Sequence, residues 1–133
     1  MSGIALRAAG FSQIDGCDIS ADMLEQAKTK QAHDTLAVVE PGFVPKGYDA
    51  IAAIGVIGAG AAPIETFDLI LNALEPGGVF TTSFNDHALE NPEFGGKVEA
   101  VLRAKTARLI YQDYGDHLPG INLNSMIYVL VKN

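Results

Sequence analysis

Ile14-Asp15-Gly16-Cys17-Asp18-Ile19-Ser20 is the stretch whose residue types and spacing most directly suggest chemistry. A short apolar run ends in an acid, and helix signals follow at once. Ser20 is a good N-cap, Asp22 falls in the first turn, and Met23, Leu24 and Ala27 make an apolar stripe. Asp18 therefore belongs at the carboxyl end of a strand, the edge at which open α/β sheets bind ligands. An ionised carboxylate there can accept two hydrogen bonds from adjacent hydroxyls of a ribose. The alternative is a turn residue that helps to start the helix. Ser20 already fills the cap, which leaves Asp18 without an obvious structural job. Cys17, beside a glycine on the same strand, reads as a small buried hydrophobe rather than a nucleophile.

Three further groups have reactive side chains. His87, in Asn85-Asp86-His87, follows another strand and could serve as a general base; the competing reading is a solvated loop histidine. His33, His87 and His117 are scattered, and the Asp86-His87 and Asp116-His117 pairs lack metal-ligand spacing, so no metal is expected. Tyr111, Tyr114 and Asp116 could line a pocket or simply pack.

The elements that carry these residues alternate. Residues 4–9 read as a helix closed by Gly10, 13–18 as a strand, 21–31 as a helix and 35–40 as a strand ending in Glu40. A Pro/Gly loop spans 41–47. The apolar run 48–57 has the composition of a strand buried on both faces. Pro63 opens a helix with Ile64, Phe67, Leu71 and Leu74 on one side, stopped by Pro76-Gly77-Gly78. A strand at 79–84 and a helix near 93–105 follow. Strands at 107–111 and 123–131 are joined by a loop over 112–122 that is too poor in apolar periodicity for a crossover helix, so they should form an antiparallel hairpin. The order implies a mostly parallel sheet with helices on both faces, and 123–131 running against its neighbours between 79–84 and 107–111.

At 133 residues, 48% hydrophobic and 19% charged, the chain fits one domain, 1–133. Sixteen acids against nine bases, net charge −7, argue against nucleic acid as a partner. The single cysteine suits a reducing compartment, with cytoplasm as the default, and the longest apolar run, broken by Gly55, Gly58, Gly60 and Pro63, is no membrane span.

Three stretches then carry a resemblance: Gly16-Cys17-Asp18-Ile19-Ser20-Ala21-Asp22-Met23-Leu24, Tyr48-Asp49-Ala50-Ile51 and Leu74-Glu75-Pro76-Gly77-Gly78. Their order and spacing resemble class I S-adenosylmethionine-dependent methyltransferases, with a tail similar to the methyltransferase-like proteins first noted in the Williams–Beuren region. The resemblance implies a Rossmann-like sheet of order 3-2-1-4-5-7-6 and S-adenosylmethionine as cofactor. Asp18 would hold the ribose, Ile19 the adenine, Glu40 would lie near the adenine edge, and Gly55 and Val56 would flank the methionine moiety. The acceptor would be a small molecule; the alternative is a non-catalytic binding or subunit module.

A nicotinamide-dependent enzyme is disfavoured by the terminal hairpin and by the lack of a later catalytic domain. A receiver-type domain is disfavoured because its acidic cluster and lysine are not seen. The family's first strand and D-x-G-x-G-T-G turn would stand just before Ser2-Gly3-Ile4-Ala5-Leu6. The chain is therefore expected to be N-terminally truncated and, alone, to bind the cofactor weakly or not at all. That strand would lie between 13–18 and 48–57, whose open edges could also lead to homo-oligomers.

Overall fold

Helix α1 (Ser2–Ala8) stops where its sequence requires. Gly10 takes φ +102°, a left-handed conformation that glycine adopts at little cost. Phe11 N–H donates to the Leu6 carbonyl at 3.1 Å and Gly10 N–H to the Arg7 carbonyl at 3.0 Å, the paired bonds of a Schellman motif. The computed structural model describes residues 2–133, the side chains of 2 and 117–119 excepted. They form two compact units, Met1–Phe43 and Val44–Asn133.

In the first unit β1 (Asp15–Asp18) pairs in parallel with β2 (Thr35–Val38), and α2 (Ala21–Thr29) connects them. Arg7 ties α1 to this pair. Its guanidinium lies 2.9 Å from Asp34, donates to the Ala32 carbonyl at 2.8 Å and also reaches the Ser12 carbonyl. Asp34 in turn accepts the Ile14 N–H at 2.6 Å. The His33 imidazole fills space that two glycines leave. A Cβ on Gly3 would stand 2.5 Å from His33 Cε1, and one on Gly16 2.9 Å from His33 Cδ2 and from Leu36. Gly16, inside β1, therefore leaves room for the His33 and Leu36 side chains.

The Ile14 amide and then the Arg7 guanidinium hold the Asp34 carboxyl below the usual carboxylate range. A folded-state pKa that is depressed contributes stability above the unfolded value, and that contribution is lost as pH falls through the folded one. Thermal melts of Asp34→Asn should therefore show a smaller drop between neutral and acid pH than wild type. An identical drop in both would show that Asp34 does not contribute.

The second unit is a four-stranded sheet of order β3-β4-β6-β5, built from β3 (Ala50–Ala53), β4 (Val79–Asn85), β5 (Ala107–Leu118) and β6 (Leu123–Lys132). β3 and β4 are parallel, and β6 runs antiparallel to both β4 and β5, as the hairpin argument required. Helices α3 (Glu65–Ala73) and α5 (Pro92–Arg103) contribute Phe67, Ile70, Leu71, Phe94, Val98 and Val101 to the core. At its centre Phe67 meets Phe80 edge-on at 5.1 Å, and Phe84 meets Phe94 at 5.4 Å and Tyr128 at 5.8 Å. Aromatic pairs in this geometry add to the gain from burial. After α3, Gly77 takes φ +89° and donates to the Lys132 carbonyl at 2.8 Å, while Lys132 Nζ reaches the Leu74 carbonyl at 2.6 Å. A cation at the carbonyl end of a helix is favourable.

Four expectations are corrected. The run 48–57 is strand only over Ala50–Ala53, where Ile51 and Ala53 face the core while Ala50 and Ala52 on the other face are exposed, and Gly55, at φ +69°, follows it. The segment 112–122 is mostly strand. Its polar residues sit on an exposed ladder that needs no apolar face, and one 3-10 turn (Pro119–Ile121) closes the hairpin. The Asn85-Asp86-His87 segment starts a short helix, α4 (Asp86–Leu89), capped by Asn85. Cys17 is exposed, not buried. Among the described residues no helix is long and apolar enough to cross a membrane.

Candidate functional site

Asp18 is the last residue of β1, and the Ser20 cap is formed as expected, its Oγ accepting the Met23 N–H at 3.3 Å. Asp18 nonetheless has a structural role as well. Its Oδ1 accepts the Ser20 N–H at 2.9 Å, an Asx-type turn that links strand to helix. This bond does not use up the carboxylate, since an ionised carboxylate offers about four acceptor directions. It holds the group at the strand end with capacity left for a ligand. Beside it Ile19 is 62% exposed, with Met23 at 54% and Val38 at 60%. A charged acceptor next to uncovered apolar side chains is the composition that a ribose joined to a flat base requires.

Parallel pairing of β1 with β2 sets Asp18 opposite Val38. Glu40, two residues on, therefore comes to the same edge. It is exposed, and its carbonyl accepts the Phe43 N–H at 3.1 Å in the turn around Gly42. The first unit thus brings Asp18, Ile19 and Glu40 together. Cys17 lies on the same strand, but partial desolvation and then the Asp18 charge push its thiol pKa up, which opposes thiolate formation.

In the second unit Gly55 and Val56 follow the carboxyl end of β3. Two β4 side chains that sequence reasoning passed over fix this backbone. The Gly55 N–H donates to Ser83 Oγ at 3.0 Å, and Thr82 Oγ1 donates to the Ala53 carbonyl at 3.1 Å, both side chains being buried. Polar Thr82 and Ser83 inside a strand of the apolar core were the available signal. Val56 is 46% exposed, and the next residue, Ile57, anchors the turn in the core.

At the carboxyl end of β4, Asn85 Oδ1 accepts the Ala88 N–H at 2.9 Å and starts α4, which carries His87 on an exposed face. Asp86 accepts the Tyr114 hydroxyl at 2.5 Å and the Asn124 N–H at 3.0 Å, tying α4 to the β5–β6 hairpin. The Tyr114 bond first, then the Asn124 amide, holds the Asp86 carboxyl low; the same bond raises the Tyr114 phenol. Tyr111 and Asp116 are exposed on β5. The side chain of His117 lies outside the described residues.

A cleft of about 350 Å³ lies at the other end of this sheet, lined by Tyr48, Asp49, Glu75, Gly77 and Gly78 among others. It sits at the amino ends of β3 and β4, opposite the edge where parallel sheets bind ligands. Among the described residues no group of three or more His, Cys, Asp or Glu could hold a metal ion.

No family model matches the chain. Over 95 residues, 66% of its length, it is 35% identical to methyltransferase-like protein 27 of Homo sapiens, and it spans 38% of that protein. Magnesium protoporphyrin IX methyltransferase (ChlM) from Synechocystis PCC 6803, solved with bound SAM, shares the fold over 98% of the chain and 64% of that enzyme. The TM-score is 0.74 at 17% identity. N-methyltransferase NodS from Bradyrhizobium japonicum WM9, solved with S-adenosyl-L-homocysteine, matches 90% of the chain and 66% of its own length, with a TM-score of 0.61 at 12% identity. The chain is thus similar in sequence to a methyltransferase-like protein, and its fold is that of the class I S-adenosylmethionine-dependent methyltransferases, an α/β sheet closed by an antiparallel hairpin.

Proposed function

We propose that residues 1–133 form one methyltransferase domain that binds S-adenosylmethionine and serves methyl transfer to a small-molecule acceptor in the cytoplasm. The observation that carries this reading is the Asp18 carboxylate, held at the end of β1 by the Ser20 N–H beside the uncovered side chain of Ile19. The bound cofactor supplies an already activated methyl group. What remains for the protein is alignment and exclusion of water.

In this reading Asp18 accepts the ribose hydroxyls and Ile19 packs on the adenine. Glu40 borders the adenine edge, and Gly55 and Val56, pinned through Ser83 and Thr82, flank the methionine part. His87, exposed at the carboxyl end of β4, is the candidate to take a proton from the acceptor. The net charge of −7 speaks against a nucleic-acid acceptor.

Equilibrium dialysis of the chain with labelled S-adenosylmethionine tests the reading, with a nicotinamide dinucleotide as competitor. Weak retention of the label, undiminished by the dinucleotide, is the expected result. Retention of the dinucleotide instead would replace the reading with hydride-transfer chemistry.

A further inference from the structure

Strand β5 closes the four-stranded sheet and, among the described residues, pairs only with β6. Residues 110–116 are exposed without interruption, including Ile110 at 55%, Tyr111 at 52% and Tyr114 at 49%. A long edge strand with uncovered apolar side chains is a template for pairing with another chain.

The register of β5 says which chain. Leu109 stands opposite Leu130 and Tyr111 opposite Val129, so Ile110 is a one-residue bulge. Because of it, Arg108, Tyr111 and Asp113 stand opposite Val131, Val129 and Ile127, alternate residues of β6, and share one face of the sheet. Without the bulge Arg108 and Asp113, an odd number of residues apart, would point to opposite faces. The Tyr111 hydroxyl, 3.3 Å from Asp113 Oδ2, is consistent with the shared face. Along that face the pattern is cation, aromatic, anion at equal steps, and such a pattern is complementary to itself when reversed.

We propose that β5 pairs antiparallel with β5 of a second copy of this chain, about a two-fold axis at Tyr111. Arg108 of each copy then faces Asp113 of the other, and the two tyrosines meet at the axis. Opposite charges directly across an antiparallel pair stabilise it, and like charges oppose it. Moving the axis to Arg108 or to Asp113 sets like charges face to face, so this register is favoured over its neighbours. The interface is isologous and closes as a dimer. It rests on β5 alone and stands apart from the cofactor reading.

Sedimentation equilibrium of the chain tests it. The expected mass is twice the 14.0 kDa of one chain, falling toward monomer as salt rises. Arg108→Asp or Asp113→Arg alone should weaken association about tenfold or more, since each creates two like-charge contacts per dimer. The double variant, with both charges exchanged, should recover association to within about threefold of wild type. Circular dichroism of the exposed single variants should match wild type. A monomer at all soluble concentrations overturns the proposal. So does a dimer indifferent to the single reversals, or a double variant as weak as the singles.

Discussion

In a version of the protein that carries the family's first strand and glycine-rich turn, replacing Asp18 by alanine is expected to weaken binding of S-adenosylmethionine about a hundredfold or more. Two charge-assisted hydrogen bonds to the ribose, at roughly 1.5–3 kcal/mol each, are lost, and about 1.4 kcal/mol corresponds to a factor of ten. Because Asp18 also accepts the Ser20 N–H, alanine removes a turn bond too. Asp18→Asn separates the two roles. Its amide oxygen can keep the Ser20 bond, while the charge that favours the hydroxyls is gone. Titration calorimetry should show asparagine still impaired, with an unchanged circular dichroism spectrum. Asparagine binding as wild type, with alanine impaired, would assign Asp18 to the turn alone.

The largest expected effect on stability is at Phe84. It is fully buried and contacts Phe67, Phe94 and Tyr128, so one side chain from β4 joins both helices and β6 of the second unit. Phe84→Ala should destabilise that unit by about 3–5 kcal/mol, the usual range for deleting a core ring and leaving its cavity. Urea denaturation followed by tyrosine fluorescence would report this as a lower midpoint. A change below about 1 kcal/mol, the level of a typical surface substitution, would mean that the ring cluster does not organise the unit.

Where a residue acts on its immediate neighbours, the sequence was readable. Gly10 closes α1, Ser20 caps α2, and Pro63 and Pro76-Gly77-Gly78 bracket α3, each through chemistry within a few residues. The antiparallel placement of β6 was also accessible, because a connection without a helix cannot cross over. Asn91 and Asn85 carried cap signals for α5 and α4 that periodicity alone passed over.

Other features depend on what lies far away in the chain. The burial of 48–57 was misread because its exposed positions, Ala50 and Ala52, are alanines, which count as apolar yet are small enough to stand on an uncovered face. Cys17 is small and apolar, a composition that does not by itself fix its burial. The fit of His33 against Gly3 and Gly16 joins three segments of the chain. The bulge at Ile110 leaves no mark, since isoleucine suits a regular strand equally well. In the site, Asp18 was legible as a strand-end acid, whereas its bond to Ser20 was not. The support of Gly55 by Ser83 spans 28 residues and needed the parallel pairing of β3 with β4 to become visible.

The central proposal is that the carboxyl end of β1 carries the cofactor's ribose and adenine. Backbone amide NMR of the labelled chain, titrated with S-adenosylhomocysteine, tests it most directly and registers weak as well as tight binding. Concentration-dependent shifts at Asp18, Ile19, Ser20 and Glu40 are the expected result. Shifts confined to Asp49, Glu75, Gly77 and Gly78, with Asp18, Ile19 and Ser20 unmoved, would contradict it.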